Sequence, residues 1–152
     1  MKKTKLKFEL QNSLIEFIVN FDERQVDNLR NGLSNFSLLL HLGDGLDFGY
    51  LYSTAVFHWK YSLSNKILKI TEYDLNNIFL KSEIIWCAEN ERFDCITKFL
   101  EDGYFPPIKD LSEMLNFFDS NNYNVTAPNV FRDLNHLYKF RKIQNFKNQL
   151  GK

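Results

Sequence analysis

An all-α fold, a single helical domain of about seven helices spanning residues 1–152, is what this chain predicts. Three observations carry that expectation. Apolar residues recur at helical spacing along most of the length. No Pro-, Gly- or Ser-rich linker divides the chain. Gly43, Gly103, Pro106, Pro107 and Pro128 punctuate the periodic stretches where helices should end or begin. With 152 residues, fifteen Phe, seven Tyr and two Trp, there is enough apolar matter for a sizeable core.

Residues 5–11 admit two readings. Leu6, Phe8 and Leu10 alternate as in a strand, whereas Leu6, Leu10, Leu14, Phe17 and Phe21 share a helical face. Helix fits better, with a short N-terminal strand as the alternative. Asp22 and Gln25 then form a capping-box pattern ahead of the stripe Val26, Leu29, Leu33, Phe36 and Leu40. Gly43, Asp44, Gly45 and Asp47 make a turn, too short and lacking the lysine of a phosphate cradle. A third helix is expected over about residues 48–61. Lys66 to Ile70 alternates briefly, as a strand or a connector would. Thr71 and Asp74 give the next helix start, with Leu75, Ile78 and Phe79 on its buried face.

A helix hairpin follows over 82–103, with Phe93, Ile96, Phe99 and Leu100 turned inward and Gly103 at its end. Pro106-Pro107 blocks continuation and opens the stripe Ile108, Leu111, Leu115 and Phe118. Asp119 to Asn124 reads as a polar loop. Thr126 and Pro128 start a long last helix with Phe131, Leu134, Leu137 and Tyr138 inward.

Composition narrows the function classes. The longest apolar run, Phe36 to Leu42, is broken by Ser37 and His41 and falls far short of the ~20 residues a spanning helix needs. Lys2, Lys3, Lys5 and Lys7 are not followed by the apolar region of a signal peptide, so a cytoplasmic location is expected. Cys87 and Cys95 lie eight apart without a CxxC motif or clustered histidine and are expected to be reduced, packed thiols. The formal net charge is zero, but Lys/Arg gather at both ends and leave residues 8–131 with eighteen acids against nine bases. Seventeen Asn against three Ala points to an AT-rich gene.

From Ala88 onward, residues 82–104 resemble the helix hairpin of an ankyrin repeat. Ala88-Glu89-Asn90 matches the end of the first helix; Phe93-Asp94-Cys95-Ile96 and Phe99-Leu100-Glu101-Asp102-Gly103 match the second. Glu91 stands where the family favours Gly, and Ser82-Glu83-Ile84-Ile85 replaces its Thr-Pro-Leu-His turn. At the family period of about 33 residues, a step back lands on Ala55 in a poor sequence match. A step forward lands on Asn121 in the polar loop. The resemblance implies partner recognition, not chemistry.

Walker A, HExxH, GxSxG, GxGxxG and zinc patterns are all missing, and neither cofactor nor metal is expected. His41 and His58 read as packed or capping residues. Arg132 and His136 resemble the Arg…His pair of helical HEPN-type ribonucleases, with closer spacing. That resemblance implies strand cleavage and gives the alternative function. A second alternative is a nucleic-acid-binding regulator using the basic last helix with Tyr138, Phe140 and Phe146. Size, AT-rich composition, the missing catalytic signatures and the acidic body together resemble immunity proteins of bacterial polymorphic-toxin and contact-dependent inhibition systems. The resemblance implies an antitoxin that covers a cognate toxin, a basic nuclease domain being the expected partner. Membrane is not an expected partner, nor is nucleic acid the main one. The expected partner-binding residues are Glu89, Glu91, Asp94, Glu101, Asp102, Tyr104 and Phe105.

Overall fold

A computed structural model describes residues 2–24, 34–41, 45–72, 74–76 and 80–151. Among them all regular structure is helical, as expected, but in nine segments instead of about seven. These are α1 (Lys2–Asn20), α2 (34–41), α3 (Phe48–Phe57), α4 (Tyr61–Thr71), α5 (Leu80–Glu89), α6 (Phe93–Glu101), α7 (Ile108–Ser120), α8 (Tyr123–Thr126) and α9 (Pro128–Leu150). Gln25, Val26, Leu29, Leu33, Gly43, Asp44, Ile78 and Phe79 lie outside the described residues.

Residues 5–11 are helical, the favoured reading, within a helix whose Leu14 and Ile18 face is buried. Three expectations are corrected. The helix expected over 48–61 breaks at 58–60. Lys66–Ile70 belongs to α4, where Leu63 and Ile67 are buried four residues apart. Thr71 ends that helix instead of starting one, since Glu72 turns left-handed at φ 50°.

Contacts sort the chain into two units, Met1–Asp74 and Leu75–Lys152. In the first, α3 packs against both α1 and α4. Its residues 51–56 are all buried, as befits a helix covered on every side. Phe17 stacks on Phe36 with centroids 5.5 Å apart and an interplanar angle of 13°. Gln11 reads both backbone polar groups of Asp47, accepting from its N–H at 3.1 Å and donating to its C=O at 3.3 Å. The Asp47 carboxylate in turn caps α3 by accepting from Tyr50 N–H at 3.0 Å. Glu23 does the same for α4 from 39 positions away, accepting from Ser62 N–H at 2.8 Å and from its hydroxyl. Lys60 Nζ donates to the Phe21 carbonyl.

In the second unit α7 lies along α9, with α8 against both, and α5 pairs with α6. Ile84, Cys87, Ala88, Ile96, Phe99, Leu111, Met114, Phe118 and Leu134 are fully buried. Each large one contributes roughly 1.5–3 kcal/mol. Tyr123 meets Phe93, Phe117 and Phe118 at centroid distances of 5.4, 5.9 and 5.6 Å, fixing the corner between α7 and α8.

The two hairpins repeat one another. After α3, Trp59 sits at φ 57° while Lys60 N–H reaches Ala55 C=O at 2.7 Å and Trp59 N–H reaches Val56 C=O at 3.1 Å. After α5, Glu91 sits at φ 57° while Arg92 N–H reaches Cys87 C=O at 2.7 Å and Glu91 N–H reaches Ala88 C=O at 3.1 Å. Both are Schellman closures, 32 positions apart. Burial keeps the same register: Ala55, Val56, Leu63, Ser64 and Ile67 are at 0%, and so are Cys87, Ala88, Cys95, Ile96 and Phe99. A further left-handed corner follows at Asn122, φ 61°, whose N–H reaches Asp119 C=O at 3.2 Å. The polar loop expected there is thus largely helical.

Candidate partner-binding site

The α5–α6 hairpin gathers most of the carboxylates singled out in the sequence. Segment 83–119 holds nine acids against three bases. Cys87 and Ala88 are small enough to let the two helices approach closely, and the three-residue connector Asn90-Glu91-Arg92 leaves Asn90 and Glu91 exposed while Arg92 is partly covered. Glu89, at the end of α5, and Glu91, on the left-handed corner, are exposed. Asp94 and Glu101 are exposed too, seven residues and about two turns apart on one face of α6.

The other candidates sit differently. Asp94 is held by Arg92 at 3.1 Å, and this contact also raises the Arg92 pKa. Asp102 pairs with Lys98 at 3.2 Å, i to i+4, with only about an eighth of either side chain exposed. It ties down α6 more than it presents a charge. Tyr104 is 3% exposed and faces the core. Burial, and secondarily the charge of Asp110, holds its phenol well above the usual range. Phe105 is half-buried beneath Arg141, whose guanidinium carbon lies 3.8 Å from the ring centroid. Arg141 also donates to Phe105 C=O at 2.7 Å and to Pro106 C=O at 3.1 Å, and Asn76 Oδ1 accepts from Phe105 N–H at 2.7 Å. The loop bearing Tyr104 and Phe105 is therefore rigid support behind the acidic edge.

One residue the sequence reading missed is Trp86. It is 46% exposed and lines a shallow groove with Ser82, Ile85 and Glu89, about 260 Å³ in volume. A large ring on the hairpin beside an exposed glutamate is the kind of anchor on which interface energy concentrates. Helical periodicity alone gives it away: Trp86 lies one residue before the buried Cys87 and two after the buried Ile84, off the core stripe.

The two thiols are buried and unbridged within the hairpin. The Cys95 contact and burial hold Cys87 protonated well above the ordinary thiol range. Arg132 and His136 are both exposed on α9, and Arg132 pairs with its neighbour Asp133 at 3.7 Å. His58 is the exposed C-cap of α3, as the capping reading has it, and His41 is exposed at the end of α2. Tyr138 is half-buried, and Phe140 leans on Phe105 with centroids 5.7 Å apart.

Comparison with protein-family models, with curated proteins and with solved structures found no match.

Proposed function

We propose that this protein is an immunity-type antitoxin that binds a basic toxin domain through the acidic edge of its α5–α6 hairpin, covering the surface with which the toxin engages its substrate. One observation carries the reading: Glu89, Glu91, Asp94 and Glu101 are exposed around a close-packed hairpin that also bears the exposed Trp86. Such an edge steers a basic partner electrostatically, and the indole supplies a desolvated anchor. The matching closures at Trp59 and Glu91 support an ankyrin-like hairpin repeated along the chain, a type of scaffold that serves recognition.

The test is protection of cells expressing a basic nuclease toxin encoded beside this chain. The wild type should be harmless alone and protect. Glu89→Lys, Glu91→Lys and Glu101→Lys together should lose protection, and Trp86→Ala alone should weaken binding by at least about tenfold, as an anchor does. Full protection by the triple variant would sink this choice of face. Growth arrest by the chain alone, relieved by His136→Ala, would replace the proposal with a ribonuclease.

A further inference from the structure

The far half of α9 carries an apolar ridge that the core does not use. Ile143, Phe146 and Leu150 are 55%, 61% and 71% exposed, whereas Val130 and Leu134 earlier on the same helix are buried. At about 100° per residue the three ridge residues fall within about 60° of each other and roughly opposite Val130 and Leu134. The ridge is therefore a second face and not an overhang of the first. Lys139 stands at its head, and Lys142 and Lys147 run along its two borders, where all six side chains line one shallow surface. The remaining positions of 142–150 are Gln and Asn, and residues 134–152 hold five Lys/Arg and no acid.

The spacing 139, 143, 146, 150 is also that of a coiled-coil seam. In a parallel pair of copies Lys142 would face Lys147 of the other chain, and Lys139 would sit in the seam against its own counterpart. Both contacts set like charges together, so such a pair on this face is disfavoured. Nucleic acid matches the lysines but not an aliphatic centre. A convex ridge with an apolar crest and cationic borders matches an anionic bilayer surface, where the crest enters the acyl boundary and lysine stems reach back to the headgroups.

We propose that residues 139–150 form an interfacial anchor that lays the Ile143–Phe146–Leu150 ridge on an anionic lipid surface. Among the described residues no helix is long and apolar enough to cross a membrane. Lying on one is a different demand, met by a short two-faced helix. Segment 83–119, with nine acids against three bases, is repelled by the same surface, which favours holding the hairpin edge toward water.

Vesicle flotation of the full chain tests this, with phosphatidylserine-containing vesicles against pure phosphatidylcholine. The chain should float with the former, be released by salt and bind the latter weakly. Ile143→Gln, Phe146→Gln and Leu150→Gln together, all exposed and so tolerated by the fold, should lower partitioning at least about tenfold at unchanged far-ultraviolet circular dichroism. Lys139→Gln, Lys142→Gln and Lys147→Gln together should lower it on the order of a hundredfold, each lysine near an anionic surface being worth about fivefold. Failure of the wild type to float with phosphatidylserine vesicles overturns the proposal. So does equal binding to neutral vesicles, undiminished binding by the triple apolar variant, or a solution dimer that the same variant dissolves.

Discussion

Glu91 is held at φ 57° by the Schellman closure of α5, a conformation that costs a residue with a Cβ roughly 1–2 kcal/mol. Glycine removes that cost but has more freedom to lose from the unfolded chain, about 0.5–1 kcal/mol. Glu91→Gly should therefore stabilise the protein by about 0.5–1 kcal/mol in urea denaturation. Glu91→Ala should not, because alanine keeps the Cβ. Gly103, at φ 101° with nothing within 4 Å of the place a Cβ would occupy, provides the mirror experiment. Space is no obstacle there, so the loss in Gly103→Ala, roughly 1–2 kcal/mol, is backbone strain alone. If Glu91→Ala gained as much as Glu91→Gly, or if Gly103→Ala were neutral, the left-handed corners would not be where this strain resides.

Arg141→Ala removes two charge-assisted hydrogen bonds and a ring contact, and unfolding by urea should show a loss of about 2–4 kcal/mol, part of it recovered in Arg141→Lys. The Tyr104 phenol is raised in the fold by burial and Asp110, so its contribution is fully present below the unfolded value of about 10 and is lost as pH climbs beyond it. Melting followed above that pH should fall steeply in the wild type and less so in Tyr104→Phe. Ser53 is buried with a hydroxyl that finds no partner among the described residues. Ser53→Ala should gain about 0.5–1 kcal/mol by thermal or urea unfolding.

Helix type was legible in the sequence wherever a long stripe met a clear stop. Pro107 before α7 and Pro128 at the first turn of α9 are local signals, and both helices start where those residues place them. The break between α3 and α4 was not legible, because its left-handed residue is Trp59 and not Gly. The same substitution, Glu91 for Gly, kept the two hairpins from matching by letter although their hydrogen bonds match. Caps supplied from a distance, such as Glu23 on Ser62, leave no trace near the helix they start. In the site, charge and exposure were readable for Glu89, Glu91 and Glu101. The Lys98–Asp102 pair is an i, i+4 spacing that could have been read from the sequence, whereas the burial of Tyr104 depends on tertiary packing. Periodicity also cannot tell whether a stripe is covered, which is why the Ile143–Phe146–Leu150 face of α9 came to light only in three dimensions.

Arg141 divides α9 in a further sense. Up to that point the helix is fastened by Val130, Leu134 and two carbonyls of the 105–106 loop; beyond it every side chain from Lys142 to Leu150 is exposed. One helix in geometry is thus two in opening free energy, a protected stem and a tip that frays by itself. Amide deuterium exchange should change abruptly near Arg141, slow before it and fast after. Lipid vesicles should slow the fast side and leave the stem untouched, turning a fraying end into a reporter of where the chain resides.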